Sequence, residues 1–344
     1  MNLLYDSDML NKKKILITGS CGFIGYHLCR RLLSEYDVTI VGIDNMNDYY
    51  EVSLKEARLK ELEGLHKDFT FFKMDIADKE KVEELFAEQK FDLVVNLAAQ
   101  AGVRYSLENP DAYLKSNVSG FYNILEAVRH HPVEHLVFAS SSSVYGNNAK
   151  VPFSTEDKVD EPVSLYAATK KANELFAYSY STLYGIKTTG LRFFTVYGPY
   201  GRPDMAYFSF TKKLLNGEKI RIFNYGNCER DFTYVDDIVT GIIAILEKGP
   251  LSPYNIYNVG NNHPENLMRF VETLANALIE EGLLPEDYQL QEHLELTEMQ
   301  KGDVVTTYAD VSALVKDYGF KPDTDLKDGL KRFAQWYKSY YTNN

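Results

Sequence analysis

Apolar and polar positions alternate along the first two hundred residues in a regular rhythm. KILIT (14–18) is a short apolar run that stops at Gly19. Behind it Phe23, Ile24, Leu28 and Leu32 recur at helical spacing, which predicts a helix with one buried face. VTIVGID (38–44), FTFFKMD (69–75), FDLVVNLAA (91–99), HLVFAS (135–140) and KTTGLRFF (187–194) read as further strands. Between them SLKEARLKELE (53–63), KEKVEELFAEQ (79–89), DAYLKSNVSGFYNILEAVRH (111–130) and the stretch from Ser164 to about Tyr184 read as helices. Strict alternation of this kind predicts an α/β fold: a doubly wound parallel sheet with right-handed crossovers. After Thr195 the rhythm breaks, loops lengthen, and Pro199, Pro203, Pro253 and Pro264 punctuate them. Residues 12–195 are therefore expected to form one sheet domain. A helix near 236–247 is expected to return to it, and the rest of 196–344 to form a smaller annex.

The glycine turn gives the sheet a purpose. GSCGFIG (19–25) places Gly19, Gly22 and Gly25 directly after a strand and at the opening of a helix. Glycines there let the backbone approach a pyrophosphate, and the helix N-terminus supplies unpaired N–H groups and the positive end of its dipole. Asp44 ends the second strand, 25 residues after Gly19. An acid at that place accepts both adenosine ribose hydroxyls and repels a 2′-phosphate, and no arginine stands beside it, so NAD is favoured over NADP. Asp75 ends the third strand beside the adenine, with Ile76 against its face. The sheet is thus expected to be a Rossmann-type NAD-binding domain, with residues from about 196 on mostly binding a substrate.

Composition narrows the partners. The net charge of -12 over 344 residues argues against nucleic acid and against an anionic membrane. It leaves room for an anionic small molecule, because a few arginines inside a cleft can outweigh the global field. Cys21, Cys29 and Cys228 are odd in number and lack metal-ligand spacing, so no metal site is expected and a reducing, cytoplasmic setting fits best. Residues 1–11, MNLLYDSDMLN, do not read as a signal peptide, and no run approaches a membrane span.

SLYAATK (164–170) carries Tyr166 and, four residues later, Lys170 on one helix face. Alone, this spacing describes a catalytic pair or a half-buried tyrosine beside a solvated lysine. Its companions are the glycine turn, NLAAQAG (96–102), SSSSVYG (140–146) and LRFFTVYGP (191–199). In that order they resemble the extended short-chain dehydrogenase/reductase family, specifically its nucleotide-sugar epimerases, over nearly the whole chain beyond residue 12.

The resemblance implies that Tyr166 is the acid/base, that Lys170 is its partner and holds the nicotinamide ribose, and that Ser141 passes the proton of the reacting hydroxyl. A free tyrosine, with a pKa of about 10, needs nearby positive charge to act as a base, and the ammonium and the nicotinamide are expected to supply it. Ser140 is expected to be structural. The resemblance further implies that Phe23, Ile24, Asn45, Leu97, Ala98, Ala99 and Asn117 line the cofactor.

The reaction follows from what stands beside Ser141. Related 4,6-dehydratases carry acidic residues there, and decarboxylases of UDP-glucuronate a glutamate before Val-Tyr-Gly. Here these positions are Ser142 and Ser143. Without that machinery, oxidation and reduction at one carbon remain, which is epimerisation. LRFFTVYGPYGRPDMA (191–206), NDYYEVSLK (47–55) and AGVRYS (101–106) closely resemble UDP-glucuronate 4-epimerases. By that pattern Arg202 meets the sugar carboxylate, and Ser141, Ser142, Ser143 and Thr195 supply hydroxyls; a salt-bridged loop arginine is the competing reading of Arg202. Arg230 is implied to bind the diphosphate and Asp303 the uridine ribose. Gln300 replaces an arginine of galactose epimerases. Arg104 is a further candidate near the carboxylate, against a helix-capping or surface role. An epimerase for UDP-glucose or for an N-acetylhexosamine or its uronic acid is the alternative, Thr307 being small at a place that narrows some relatives' pockets. A non-catalytic NAD-binding sensor is opposed by the intact Tyr166, Lys170 and Ser141. The family also implies a homodimer through the helices at 111–130 and 164–184.

Overall fold

The computed structural model describes residues 9–65, 68–299 and 305–342. Strands and helices alternate as β1 (Lys14–Thr18), α1 (Phe23–Glu35), β2 (Thr39–Asp44), α2 (Val52–Leu65), β3 (Phe69–Lys73), α3 (Lys79–Gln89) and β4 (Leu93–Asn96). Two short helices follow, α4 (Tyr105–Glu108) and α5 (Pro110–Tyr113). A π-helical segment, Leu114–Gly120, then leads into α6 (Phe121–His130), so the helix expected over 111–130 is continuous but locally widened. Next come β5 (His135–Ser141), α7 (Leu165–Tyr184) and β6 (Thr188–Phe193).

The later chain adds β7 (Thr195–Tyr197), α8 (Ala206–Leu215), β8 (Ile220–Ile222), β9 (Glu229–Tyr234) and α9 (Val235–Lys248). It ends with β10 (Tyr254–Val259), β11 (Pro264–Asn266), α10 (Leu267–Glu280), β12 (Leu294–Leu296), α11 (Ser312–Tyr318) and α12 (Leu326–Thr342).

Seven strands form one parallel sheet in the order β10-β6-β5-β4-β1-β2-β3. Helices cover both faces of its centre, and every residue of β4, β5 and β6 is buried, the polar ones such as His135, Thr189 and Arg192 included. The chain leaves β1 toward β2 and β3, then crosses to β4 on the other side. That reversal opens a crevice at the carboxyl ends of β1 and β4, where open α/β sheets bind ligands. Two smaller sheets lie beyond it, β11-β9-β7 and β12-β8.

The expected boundary at residue 195 is crossed twice. Helix α9 packs on α1, Arg31 donating to the Thr240 hydroxyl at 2.6 Å and Tyr36 to Glu247 at 2.8 Å. Strand β10 also returns, pairing with β6 from Tyr254↔Thr188 to Val259↔Phe193.

Candidate active site

Gly19 leaves β1 at a φ of 71°, the left-handed region that favours glycine, and a Cβ there would lie 2.9 Å from the Ala98 nitrogen. A side chain at Gly25 would collide with the Gly19 carbonyl, so α1 packs on the turn only because position 25 is bare. Gly22 is the N-cap of α1 and brings no side chain to cap it, which leaves the first amides of a 13-residue helix to other partners. Asp44 stands at the end of β2, and Asp75 just beyond β3. These features together fit a dinucleotide: bare amides for the pyrophosphate and an acid for the ribose.

A cleft of about 380 Å³ runs from this turn to α7. Gly19, Gly22, Phe23, Ile24, Gly25, Asp44, Asn45, Asp75, Ile76, Leu97, Ala98 and Ala99 line one end. Ser141, Ser142, Ser143, Tyr166, Lys170, Thr195 and Arg202 line the other. Burial pushes the Asp75 carboxyl up, but the Ala77 N–H and the Lys115 ammonium, 2.9 Å away, outweigh it and hold the group below the usual carboxylate range.

Helix α7 positions the chemistry. Ser164 caps it, accepting the Ala167 N–H at 3.1 Å, so Tyr166 sits in a fixed first turn and Lys170 one turn on. Ser141 closes β5 and caps the short 3₁₀ turn Ser142–Tyr145, accepting the Ser143 N–H at 3.2 Å. Burial pushes the Tyr166 phenol above its ordinary value, while a hydrogen bond with Ser141 and the Arg202 guanidinium both draw it down. The Lys170 ammonium donates to the Ala139 carbonyl at 2.9 Å, 6.0 Å from the Tyr166 ring centre, and burial lowers it to about 8. The Lys170 ammonium thus lies near the phenol as expected of its place on α7, and the Arg202 guanidinium adds a second positive charge that sequence reasoning did not assign to the phenol.

Arg202 forks onto Asp204, Nε to Oδ1 at 3.0 Å and Nη2 to Oδ2 at 2.5 Å. The salt-bridged reading of this arginine and its place in the cleft are therefore both met.

Three expected site residues lie off the cleft wall. Asn117 is buried in the π segment and committed to protein groups. Its Oδ1 accepts the Gln100 N–H at 2.8 Å, and its Nδ2 donates to the Gln100 carbonyl and the Thr169 hydroxyl, each at 3.1 Å. It holds the segment after β4 against α7. Arg104 is exposed at the start of α4, over the Phe223 ring at 5.2 Å. Arg230 donates to the Glu229 and Val305 carbonyls, each at 2.9 Å. Asp303 and Gln300 lie outside the described residues. Thr307 is off the wall too, accepting the Asp231 N–H at 3.1 Å. Ser140 lines the cleft and donates to Glu174 at 2.6 Å.

Sequence reasoning missed Tyr49, Tyr50 and Lys55, which also line the cleft. The Lys55 ammonium is buried and donates to the Asn47 carbonyl and side chain, both at 2.8 Å. Fully buried Arg58 joins the glycine turn to the Arg202 loop, donating to the Cys21, Tyr200 and Gly201 carbonyls. The face of α2 that is buried carries Leu54, Lys55, Arg58 and Leu62, so it lacks the apolar stripe by which a buried face is read from sequence.

Residues 15–260 match the model of the NAD dependent epimerase/dehydratase family. The chain belongs to that family. It is 49% identical to Protein CapI of Staphylococcus aureus, over 95% of this chain and 99% of that protein. It is 46% identical to UDP-glucuronate 4-epimerase 4 of Arabidopsis thaliana, over 96% and 76%. Among solved structures, UDP-glucuronic acid 4-epimerase from Bacillus cereus, in complex with UDP-glucuronic acid and NAD, superposes with a TM-score of 0.86 at 32% identity. That match covers 95% of this chain and all of the other. As a family member the protein is an NAD-dependent nucleotide-sugar epimerase of the extended short-chain dehydrogenase/reductase type.

Proposed function

We propose that this chain is a UDP-glucuronate 4-epimerase, interconverting UDP-glucuronate and UDP-galacturonate through a 4-keto sugar. One observation carries the reading: a single cleft holds the Ser141–Tyr166 pair and Arg202 at the end opposite the dinucleotide turn. The named relatives support the substrate. When bound, NAD supplies the two-electron acceptor at C4 and is regenerated within each turnover. Tyr166 takes the C4 hydroxyl proton, with Ser141 beside it to pass that proton on, and returns it after the keto sugar has turned over. Lys170, whose ammonium donates to the Ala139 carbonyl, would hold the nicotinamide ribose. Gly19, Gly22 and Asp44 would hold the pyrophosphate and adenosine ribose.

The oxidised sugar is a β-keto acid, which loses CO2 when the scissile bond stands perpendicular to the carbonyl plane. Arg202, with the hydroxyls of Ser141, Ser142, Ser143 and Thr195, pins the carboxylate away from that alignment. The test is to incubate the protein with UDP-glucuronate, UDP-glucose and UDP-N-acetylglucosamine and identify products by NMR. UDP-galacturonate is expected from the first; turnover of a neutral sugar alone would sink the reading.

Arg202→Leu removes a charge-assisted contact worth about 1.5–3 kcal/mol. Efficiency on UDP-glucuronate is expected to fall by about one to two powers of ten, with traces of a UDP-4-keto-pentose, while any activity on UDP-glucose changes little. Equal losses on both sugars would assign Arg202 to the fold or the diphosphate instead.

We also propose a homodimer. Leu175, Tyr178 and Leu183 on α7 and Tyr122 on α6 are large apolar side chains left exposed on neighbouring helices. Light scattering is expected to give twice the chain mass, and Leu175→Glu with Tyr178→Glu to give the monomer. A monomeric wild type would refute this. Among the described residues no helix is long and apolar enough to cross a membrane. The three cysteines are free thiols, which supports a reducing, cytoplasmic site of action.

A further inference from the structure

We propose that Asp204, anchored by Tyr49, is a specificity-determining residue that acts through Arg202: an internal carboxylate that competes with the sugar's carboxylate for one guanidinium. The inference rests on the uronate reading above. Asp204 takes the Nε and Nη2 edge of Arg202, the side-on fork that a substrate carboxylate would otherwise find open. The Tyr49 hydroxyl donates to Asp204 Oδ2 at 3.1 Å, and Tyr49 itself lines the cleft. Its ring lies 4.8 Å from that of Tyr105, and any side chain at Gly102 would collide with its hydroxyl. Bare backbone is therefore kept where the anchor stands.

Burial pushes the Asp204 carboxyl up, but Arg202 and Tyr49 outweigh it, so the group is ionised. The Arg202 and Asp204 side chains are only 22% and 29% exposed, so solvent screens the pair less than it would a surface bridge.

The consequence is selective. A neutral sugar leaves the pair intact and neither gains nor loses by it. A uronate brings a second carboxylate to a guanidinium already neutralised, so it is bound less tightly than a lone arginine would bind it. The product, equally charged, is released for the same reason.

The experiment uses the NAD-loaded enzyme, with calorimetric Kd values and kinetics for UDP-glucuronate and UDP-glucose in wild type, Asp204→Asn and Tyr49→Phe. Asp204→Asn is expected to lower Kd and KM for UDP-glucuronate about three- to tenfold, without raising kcat, and to move Kd for UDP-glucose by less than about twofold. Tyr49→Phe is expected to shift selectivity the same way by a smaller factor, because the carboxylate keeps its charge and loses one anchor. Weaker uronate binding in Asp204→Asn would mean that Asp204 only aligns Arg202, and would overturn the proposal. Equal shifts on the two sugars would overturn it as well. Should Asp204→Asn fail to fold, unchanged selectivity in Tyr49→Phe overturns it. A wild type that leaves UDP-glucuronate unepimerised removes the substrate reading and this inference together. A wild type that epimerises it, beside an Asp204→Asn variant of unchanged selectivity, removes only the role of Asp204.

Discussion

Tyr166→Phe is expected to slow epimerisation by about two to four powers of ten, the usual reach of a positioned acid/base group. NAD content and affinity for UDP-glucuronate are expected to stay near wild type. The substitution removes one oxygen and keeps the ring, which packs edge-on against Tyr113 at 6.1 Å. The fold has little to lose, since the group that draws the phenol down beside it, Ser141, belongs to the same cleft. What is lost is the phenol proposed to take the C4 proton, and among the described residues of the cleft the other candidate near it, Lys170, is committed elsewhere. Lys170 is held by the Ala139 carbonyl at 2.9 Å. Single-turnover reduction of bound NAD, followed by absorbance, separates the outcomes. A variant that still forms reduced cofactor at the wild-type rate would remove Tyr166 from the proton transfer.

The charge balance at the phenol explains why the serine and the arginine matter to a tyrosine. Burial opposes ionisation, and Ser141 and Arg202 partly offset it. Arg202 therefore stands in two arguments, as a carboxylate ligand and as a positive charge beside the base. A uronate that engages Arg202 also changes the field at Tyr166, so substrate identity and acid/base strength are joined through one side chain.

The sheet and its cofactor end were legible because their signals are local. Strand β1, the bare positions at Gly19, Gly22 and Gly25, and Asp44 follow within one βαβ unit, where periodicity and turn chemistry fix geometry directly. Strand β10 was hidden for the opposite reason. YNIYNV is an edge strand whose first three residues are only half-buried, and its two asparagines and two tyrosines break up the apolar pattern that marks a strand in sequence. Asn117, Arg104 and Arg230 show the limit of motif transfer: a motif places a residue in the chain but does not aim its side chain. Asn117 turns to Gln100 and Thr169, contacts made across 17 and 52 residues. Arg58 is likewise defined by carbonyls up to 143 residues away. Asp204, two residues from Arg202, was within reach of sequence reasoning, since an acid so close to an arginine in a proline turn can fold back onto it.

Arg192→Met is expected to cost about 3–5 kcal/mol of stability, because it strands a buried carboxylate. Arg192 and Glu174 are 3% and 1% exposed at their side chains and share two 2.9 Å bonds. The arginine also donates to the Tyr145 hydroxyl at 3.0 Å, which donates to Asn258 at 2.6 Å, and Glu174 accepts from Ser140. This network joins β5, β6 and β10 to α7 directly behind Ser141, Tyr166 and Lys170. Thermal unfolding is expected to fall by roughly 6–20 °C.

In the wild type the Glu174 carboxyl is burdened by burial, yet Arg192 holds it below its ordinary value. Its contribution is therefore present above the unfolded carboxylate pKa and is lost as pH falls through the folded one. Without Arg192 the same burial is opposed only by the Ser140 hydroxyl and the partly exposed Lys171 ammonium and raises that pKa, so the penalty grows as pH rises past the unfolded value. The gap between variant and wild type is accordingly expected to be widest near neutral pH and to narrow below about pH 4.5. Arg192→Met with Glu174→Met removes both charges and is expected to recover a large part of the loss. A double variant as unstable as the single one, or a gap independent of pH, would show that Arg192 stabilises by packing alone and that the stranded carboxylate is not the cause.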